Sequence, residues 1–476
     1  MGRHRFRCLA ATVLLLAGCS TSSQSETSPD EVATTTAAPA TTVSSTITTT
    51  TTAPPATTQV DGPDWIFHNG TVVTITNGRY EALAVDGERI AALGDDDEML
   101  AMAASSTRII DLDGRALLPG FIDAHSHAFQ NDGAAAQELM LAGGVTTVTE
   151  MSTNPDTLQL LYDLDADDDL RVRVSAYLVH TDACGGIQDE WWREPLDTAA
   201  ERVSGDMLQL AGVKIFTDGG VCNGIARSFP VAAGLENGPK YFDDQVITDI
   251  VAGLDAEGYT AGIHALGDLA VRQVLDVYQT VIGGTDNELR HRLEHNALVH
   301  PDDRDRYDDA GMVAVIFGQF PACAFQEGLA TGVGTPAAYM DFEWPYAELT
   351  RSNPNTVFAW HVDYPYFFDW NVPDHLHGFV TRVERAADGT WCYPPEATAE
   401  GLDVAEALEI MTMGSAYAIN REHEIGSLEA GKYADLTILS ADPGVVDPFD
   451  LADVTVDFTM VAGVAEFCGP AFADQC

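Results

Sequence analysis

Apolar and polar positions change rhythm along the chain. From Trp65 onward, short runs rich in β-branched and aromatic residues alternate with turn residues: Ile66-Phe67, Thr71–Ile75, Ala82–Val85 and Arg89–Leu93, with Asp86-Gly87 between the last two. Runs of this length, broken by such a turn signal, predict the strands of a small sheet. The same texture returns near the other end, in Ala434–Leu439, Val454–Val456 and Val461–Gly463. Two β-rich flanks around a long middle predict one β-sandwich built from both ends of the chain.

The middle alternates apolar runs with stretches of helical period, the pattern of a parallel α/β fold. The expected strands are Leu117–His125, Val145–Glu150, Val172–Val179, Gly212–Phe216, Thr260–His264, Arg292–His295, Met312–Phe317 and Thr356–Asp363. A helix is expected over Asp268–Val281, where apolar positions 270, 271, 274, 275, 277, 278 and 281 mark one face. Eight such units suit a (β/α)8 barrel, typically about 250 residues long. The fold class is therefore α/β: a TIM barrel with a small β-sandwich from the N- and C-terminal flanks. The expected boundaries are 62–115 for the first part of the sandwich, 116–420 for the barrel, and 421–476 for the second part with a C-terminal tail.

The formal charge of −49 changes the choice of partner. Such a surface repels nucleic acid and anionic headgroups, which leaves a small-molecule substrate as the expected partner. A homo-oligomer is compatible with the sequence. Lysine is almost absent, with only Lys214, Lys240 and Lys432. At the N-terminus, Arg3, Arg5 and Arg7 precede the apolar stretch Leu9–Ala17, as in a secretory signal that is too short to span a bilayer. Leu16-Ala17-Gly18-Cys19 resembles a bacterial lipobox. Residues 1–18 are thus expected to be a lipoprotein signal peptide with lipid attachment at Cys19. The expected location is the cell membrane, facing away from the cytoplasm, held by the lipid alone. Residues 19–61, dominated by Thr, Ser, Pro and Ala, have nothing to bury and read as a disordered tether. Cys184, Cys222, Cys323, Cys392, Cys468 and Cys476 would then be free to pair in an oxidising compartment. The sequence leaves their connectivity open, with Cys468 and Cys476 the simplest pair.

His125 and His127 carry the first chemical signal. Two residues apart at the end of a strand, both imidazoles lie on one face and can reach one metal. Their context, Leu118-Pro119-Gly120-Phe121-Ile122-Asp123-Ala124-His125-Ser126-His127, resembles the first-strand motif of the amidohydrolase superfamily of metal-dependent hydrolases. Four further segments resemble the branch that includes N-substituted formamide deformylase: Gly212–Gly219, Ile263–Asp268, Arg290–His295 and Gly426–Leu436. The likeness runs from about Trp65 to Pro443, and the order of five motifs is more specific than any one of them.

The resemblance implies a full ligand set. Lys214 closes an apolar run where an amine is costly to bury, and a neutral amine can react with carbon dioxide to give a bridging carbamate. In the family a lysine at this motif plays that role. His264 and His295 occupy the family's positions for a second metal, and neutral imidazole suits zinc. Asp363, in His361-Val362-Asp363-Tyr364-Pro365, resembles the family's Ser-Asp-Trp-Pro segment and is the expected proton shuttle. Val362 and Tyr364 depart from that pattern. Two divalent ions, expected to be zinc, would thus be held by His125, His127, Lys214, His264, His295 and Asp363.

The expected activity is hydrolysis of a non-peptide carbon–nitrogen bond by metal-activated water. A mononuclear deaminase using His125, His127, His264 and Asp363 is the second reading, and a non-catalytic solute-binding lipoprotein the third. Of the remaining polar residues, His180 could face substrate or pack. Asp218 with Gly219-Gly220 reads as a loop over the site, and Trp191 and Trp192 line a pocket or pack against the barrel. Arg290 and Arg292 are expected in structural ion pairs. His361, His375 and His377 match no ligand role.

Overall fold

The computed structural model describes residues 62–199, 206–231, 236–283, 287–323, 335–386, 388–394, 396 and 399–476. The signal over 1–18, lipid attachment at Cys19 and the tether over 19–61 lie outside the described residues. Eight parallel strands stand side by side in sequence order: β1 (Phe121–Ser126), β2 (Val145–Thr153), β3 (Arg173–Val179), β4 (Leu208–Phe216), β5 (Ala261–Ala265), β6 (Arg292–His295), β7 (Val313–Phe317) and β8 (Phe358–His361). Beyond β8 the chain returns to β1, where the Asp363 N–H donates to the His125 carbonyl at 3.1 Å. Strands β1, β3, β5 and β7 are buried at every position, as befits parallel strands covered on both faces. The helix Asp268–Val281 turns Ala270, Val271, Val274, Leu275, Val277 and Tyr278 inward, the face that its periodicity predicts.

The expected single strand Leu117–His125 is two strands. Ala116–Pro119 pairs antiparallel with Leu436–Leu439, while β1 pairs with β2 in the barrel. Gly120 makes the change of sheet, and its N–H donates to the Asp435 carbonyl at 2.8 Å. A Cβ there would sit 2.1 Å from Thr146 Oγ1 and 2.3 Å from its Cγ2. Thr146 is buried and β-branched, so it cannot swing aside. Gly120→Ala should therefore destabilise the fold by about 1–3 kcal/mol, the usual cost of overpacking. A thermal midpoint equal to that of the wild type would contradict this.

The flanking strands form two sheets. One orders Arg89–Gly94, Ala82–Asp86, Trp65–His68 and Arg108–Asp111. The other runs Val464–Cys468, Val456–Val461, Leu436–Leu439, Ala116–Pro119, Thr71–Val73 and Arg79–Tyr80. Their shared core includes Trp65, Phe67, Leu117, Leu436, Ile438 and Phe458, drawn from both ends of the chain. The Arg173 guanidinium of β3 joins barrel to sandwich through two bonds to the Asp435 carboxylate, at 2.7 and 3.1 Å, with both groups buried. Disulfides link Cys184 to Cys222, Cys323 to Cys392 and Cys468 to Cys476. Among the described residues no helix is long and apolar enough to cross a membrane.

Candidate metal centre

The strand ends bring the predicted residues to one place. His125 on β1 and His127 just beyond it meet Asp363, which follows β8: His125 Nε2 lies 3.5 Å and His127 Nε2 3.4 Å from Asp363 Oδ1. Lys214, inside β4, puts its Nζ 3.2 Å from His125 Nε2. His295 at the end of β6 stands with its ring centre 4.4 Å from that of His125 and 4.7 Å from that of His264. All six side chains are buried. Among the described residues two triads have ligand atoms within 4.8 Å of one another: His125, His127 and Asp363, and His125, His295 and His361. Lys214 and His264 stand beside these triads.

Hydrogen bonding sets which nitrogens are free. Glu294 accepts from His125 Nδ1 at 2.7 Å, so the lone pair of His125 sits on Nε2, facing the Asp363 carboxylate. That nitrogen is answered by the Lys214 amine, 3.2 Å away. His295 has both ring nitrogens buried without a hydrogen-bond partner, and so does Asp363 Oδ1. Buried polar atoms are nearly always paired, so these orphaned ligand atoms, beside the triad of His125, His127 and Asp363, fit a divalent metal. Of the other two lysines, Lys240 pairs with Asp244 at the surface. Lys432 Nζ is bonded to the Glu422 carbonyl and Ser427 Oγ.

The electrostatics agree. Burial pushes the Lys214 amine down to about 8, although Glu294 and Asp363 oppose the shift. Burial, reinforced by Lys214, holds His125 far below the usual histidine range, and burial with His264 does the same for His295. Neutral imidazole is the ligating form. Burial raises the Asp363 carboxyl, but His127, His361 and Lys214 outweigh it and keep the group below its ordinary value.

A second layer fixes these groups. The Arg292 guanidinium grips Glu294 at 2.5 and 3.0 Å and also donates to the Ala124 carbonyl, so the carboxylate behind His125 is itself held. Asp123 accepts from Trp370 Nε1 at 2.8 Å and from the backbone N–H groups of His125 and Val362 at 3.1 and 3.3 Å. It thereby ties the end of β1 to the end of β8. Glu150 accepts from the N–H groups of Phe129 and Gln130 at 2.9 and 3.1 Å, in the helix that follows His127. His295 (φ 75°) and Asp363 (φ 54°) both lie in the left-handed region, at a cost of about 1–3 kcal/mol each. Tyr346 Oη holds the His295 carbonyl at 2.9 Å, and the N–H groups of Tyr366 and Phe367 hold that of Asp363 at 2.8 and 3.2 Å. Strain retained at two site residues marks positions where geometry outweighs backbone preference.

Other expectations sort out by contact. The loop reading of Asp218 and Gly219 agrees with their place beside the site. His264 Nε2 donates to the Gly219 carbonyl at 3.0 Å, and Asp218 accepts from the N–H groups of Leu266 and Gly267 at 3.1 and 2.9 Å. Trp192 is fully buried and packs on His180 and Tyr259, with ring centres 5.7 and 5.2 Å away. Arg290 pairs with Glu422. His375 bonds the Asp369 carbonyl and His377 bonds Thr381, both away from the triads. His361, given no role from the sequence, falls inside the cluster. Its signal was present: His361 and Asp363 repeat the spacing of His125 and His127.

A model of the amidohydrolase family matches residues 128–465, a range that holds Lys214, His264, His295 and Asp363. Protein LONG AFTER FAR-RED 3 from Arabidopsis thaliana is 26% identical over 313 residues, covering 64% of this chain and 52% of that protein. N-substituted formamide deformylase from Arthrobacter pascens is 24% identical over 267 residues, covering 55% of this chain and 46% of that enzyme. The chain thus spans about half the length of these curated relatives. In fold it is similar to an uncharacterised metal-dependent hydrolase from Pyrococcus horikoshii. That structure has a TM-score of 0.64 and 19% identity, and the likeness covers 81% of this chain and 99% of the other.

Proposed function

The chain belongs to the amidohydrolase family, and from that premise we propose that it is a metal-dependent hydrolase cleaving a non-peptide carbon–nitrogen bond in a small molecule. His125, His127, Lys214, His264, His295 and Asp363 would hold two divalent ions, zinc by preference, with Lys214 bridging them as a carbamate. The observation that carries this reading is the buried triad of His125, His127 and Asp363, whose ligand atoms lie within 4.8 Å of one another, beside a His295 whose two ring nitrogens have no hydrogen-bond partner.

Bound zinc would polarise the scissile carbonyl and lower the pKa of an attacking water toward neutrality. The protein's own groups do the rest. The Asp363 carboxylate is placed to take a proton from the attacking water and return it to the leaving nitrogen. Glu294 fixes the tautomer and direction of His125, a supporting role whose loss typically costs 10–100-fold in metal affinity. The name of the deformylase relative makes N-substituted formamides the first substrates to try.

We also place the protein outside the cytoplasm, tethered through Cys19. The lipobox-like sequence supports this, as do three disulfides, which persist in oxidising compartments.

The test combines metal quantification with a hydrolysis screen over formamides, amides, carbamates, cyclic imides and lactones. Two equivalents of zinc and turnover that a chelator abolishes and zinc restores are expected. One equivalent would point to the mononuclear reading. A metal-loaded protein inert on the whole panel would point to a binding protein.

A further inference from the structure

We propose that His361 is an additional metal ligand of this chain, forming with His125 and His295 an all-imidazole set that takes up the free Nε2 of His125 in place of the set of His125, His127 and Asp363. The inference rests on the metal-dependent reading above and deepens it.

The geometry comes first. The ligand atoms of His125, His295 and His361 lie within 4.8 Å of one another, with the His361 ring centre 5.2 Å from that of His125 and 5.0 Å from that of His295. His361 ends β8 and is fully buried. Among the described residues only His295 and His361 have both ring nitrogens buried without a hydrogen-bond partner. Histidines elsewhere in the interior find ordinary partners. His291 Nδ1 accepts the Ala261 N–H at 3.0 Å, and His375 Nε2 donates to the Asp369 carbonyl at 3.0 Å.

The packing explanation fails on cost. His361 lies against Phe317, with ring centres 4.0 Å apart, a surface that a phenylalanine would also cover. A side chain kept there for packing alone leaves two buried polar atoms unsatisfied, each costing about 1–3 kcal/mol. A cation between His361, His125 and His295 would take up one of those two nitrogens and remove that part of the penalty. Three imidazoles also bias the site toward zinc, nickel and copper and away from magnesium, calcium and manganese, which prefer oxygen.

The experiment measures zinc affinity by chelator competition, with the visible spectrum of the cobalt(II)-loaded protein, for wild type, His361→Phe and His361→Gln. Each variant should bind at least one zinc more weakly by about 10–100-fold or more, taking the loss of a supporting group as the lower bound. The cobalt spectrum should shift, and metal-free His361→Phe should melt no lower than wild type. Wild-type zinc affinity and an unchanged cobalt spectrum in both variants would make His361 a packing residue and overturn the proposal. Should the variants not fold, pulsed electron paramagnetic resonance of wild type carrying substoichiometric copper(II) serves instead. Three coordinated imidazoles are expected on one ion, and two or fewer would overturn the assignment. Wild type that binds no metal at all would instead sink the metal-dependent reading itself.

Discussion

Replacing Asp363 by asparagine is expected to slow hydrolysis by about 10²–10⁴-fold, the usual contribution of a positioned general base and acid, while leaving the protein folded. The choice of asparagine follows from the backbone. Asp363 sits at φ 54°, a conformation in which asparagine is among the few side chains at ease. An alanine there would add strain and confuse loss of chemistry with loss of structure. The amide retains an oxygen for ligation but cannot act as the base. Its weaker donation should be offset by assaying with zinc in excess, so that kcat rather than occupancy is read. His127 Nε2, 3.4 Å from Asp363 Oδ1, keeps a polar neighbour in the variant. A variant as fast as wild type at full metal occupancy would remove Asp363 from proton transfer.

Most of the barrel was legible because parallel strands buried on both faces write themselves as apolar runs. Arg292–His295 and the helix Asp268–Val281 have the extents that their patterns predict. The change of sheet at Gly120 was not, because Leu117–His125 is continuously strand-like and periodicity cannot see which partner each half finds. What splits it is the change of partner, Leu436–Leu439 for the first half and β2 for the second, both distant along the chain. The residues proposed to hold metal were picked out by motif order, and the structure gathers them at or near the strand ends, where a barrel places its chemistry. The layer behind them was harder to read. Asp123 stands inside an apolar run and Glu294 between Leu293 and His295, but neither setting says that one ties β1 to β8 and the other aims His125. His361 was missed because it comes late, and its spacing to Asp363 pairs two different side chains, a weaker signal than the matched His125 and His127. Only its neighbours, His125 and His295 from other strands, give it meaning.

Lys214→Met should lower bound zinc from about two equivalents to about one, because the variant lacks the bridge between two ions, and should cut turnover at least about 100-fold, given what even supporting groups contribute. Methionine follows the lysine stem and drops only the amine, so the stem's volume is kept and what is lost is the amine, 4.8 Å from the Phe216 ring centre. The fold should not suffer. A buried amine with a pKa pushed down to about 8 costs the metal-free protein stability in its charged form, so metal-free Lys214→Met should melt at or above the wild-type temperature. The proposed bridge forms when the neutral Nζ attacks the carbon of carbon dioxide: a nitrogen–carbon bond forms, one N–H proton leaves, and an anionic carbamate results. Wild type loaded in buffer stripped of carbon dioxide should therefore take up less zinc than wild type loaded with bicarbonate, and Lys214→Met should show no such difference. Protein loaded with ¹³C-bicarbonate should give a carbamate signal that the variant lacks. Full zinc and full activity in Lys214→Met would leave the buried lysine a structural cation with no part in holding either metal. Loss of the second zinc without any carbon dioxide dependence would keep two metals but make the amine itself, not its carbamate, the group that organises them.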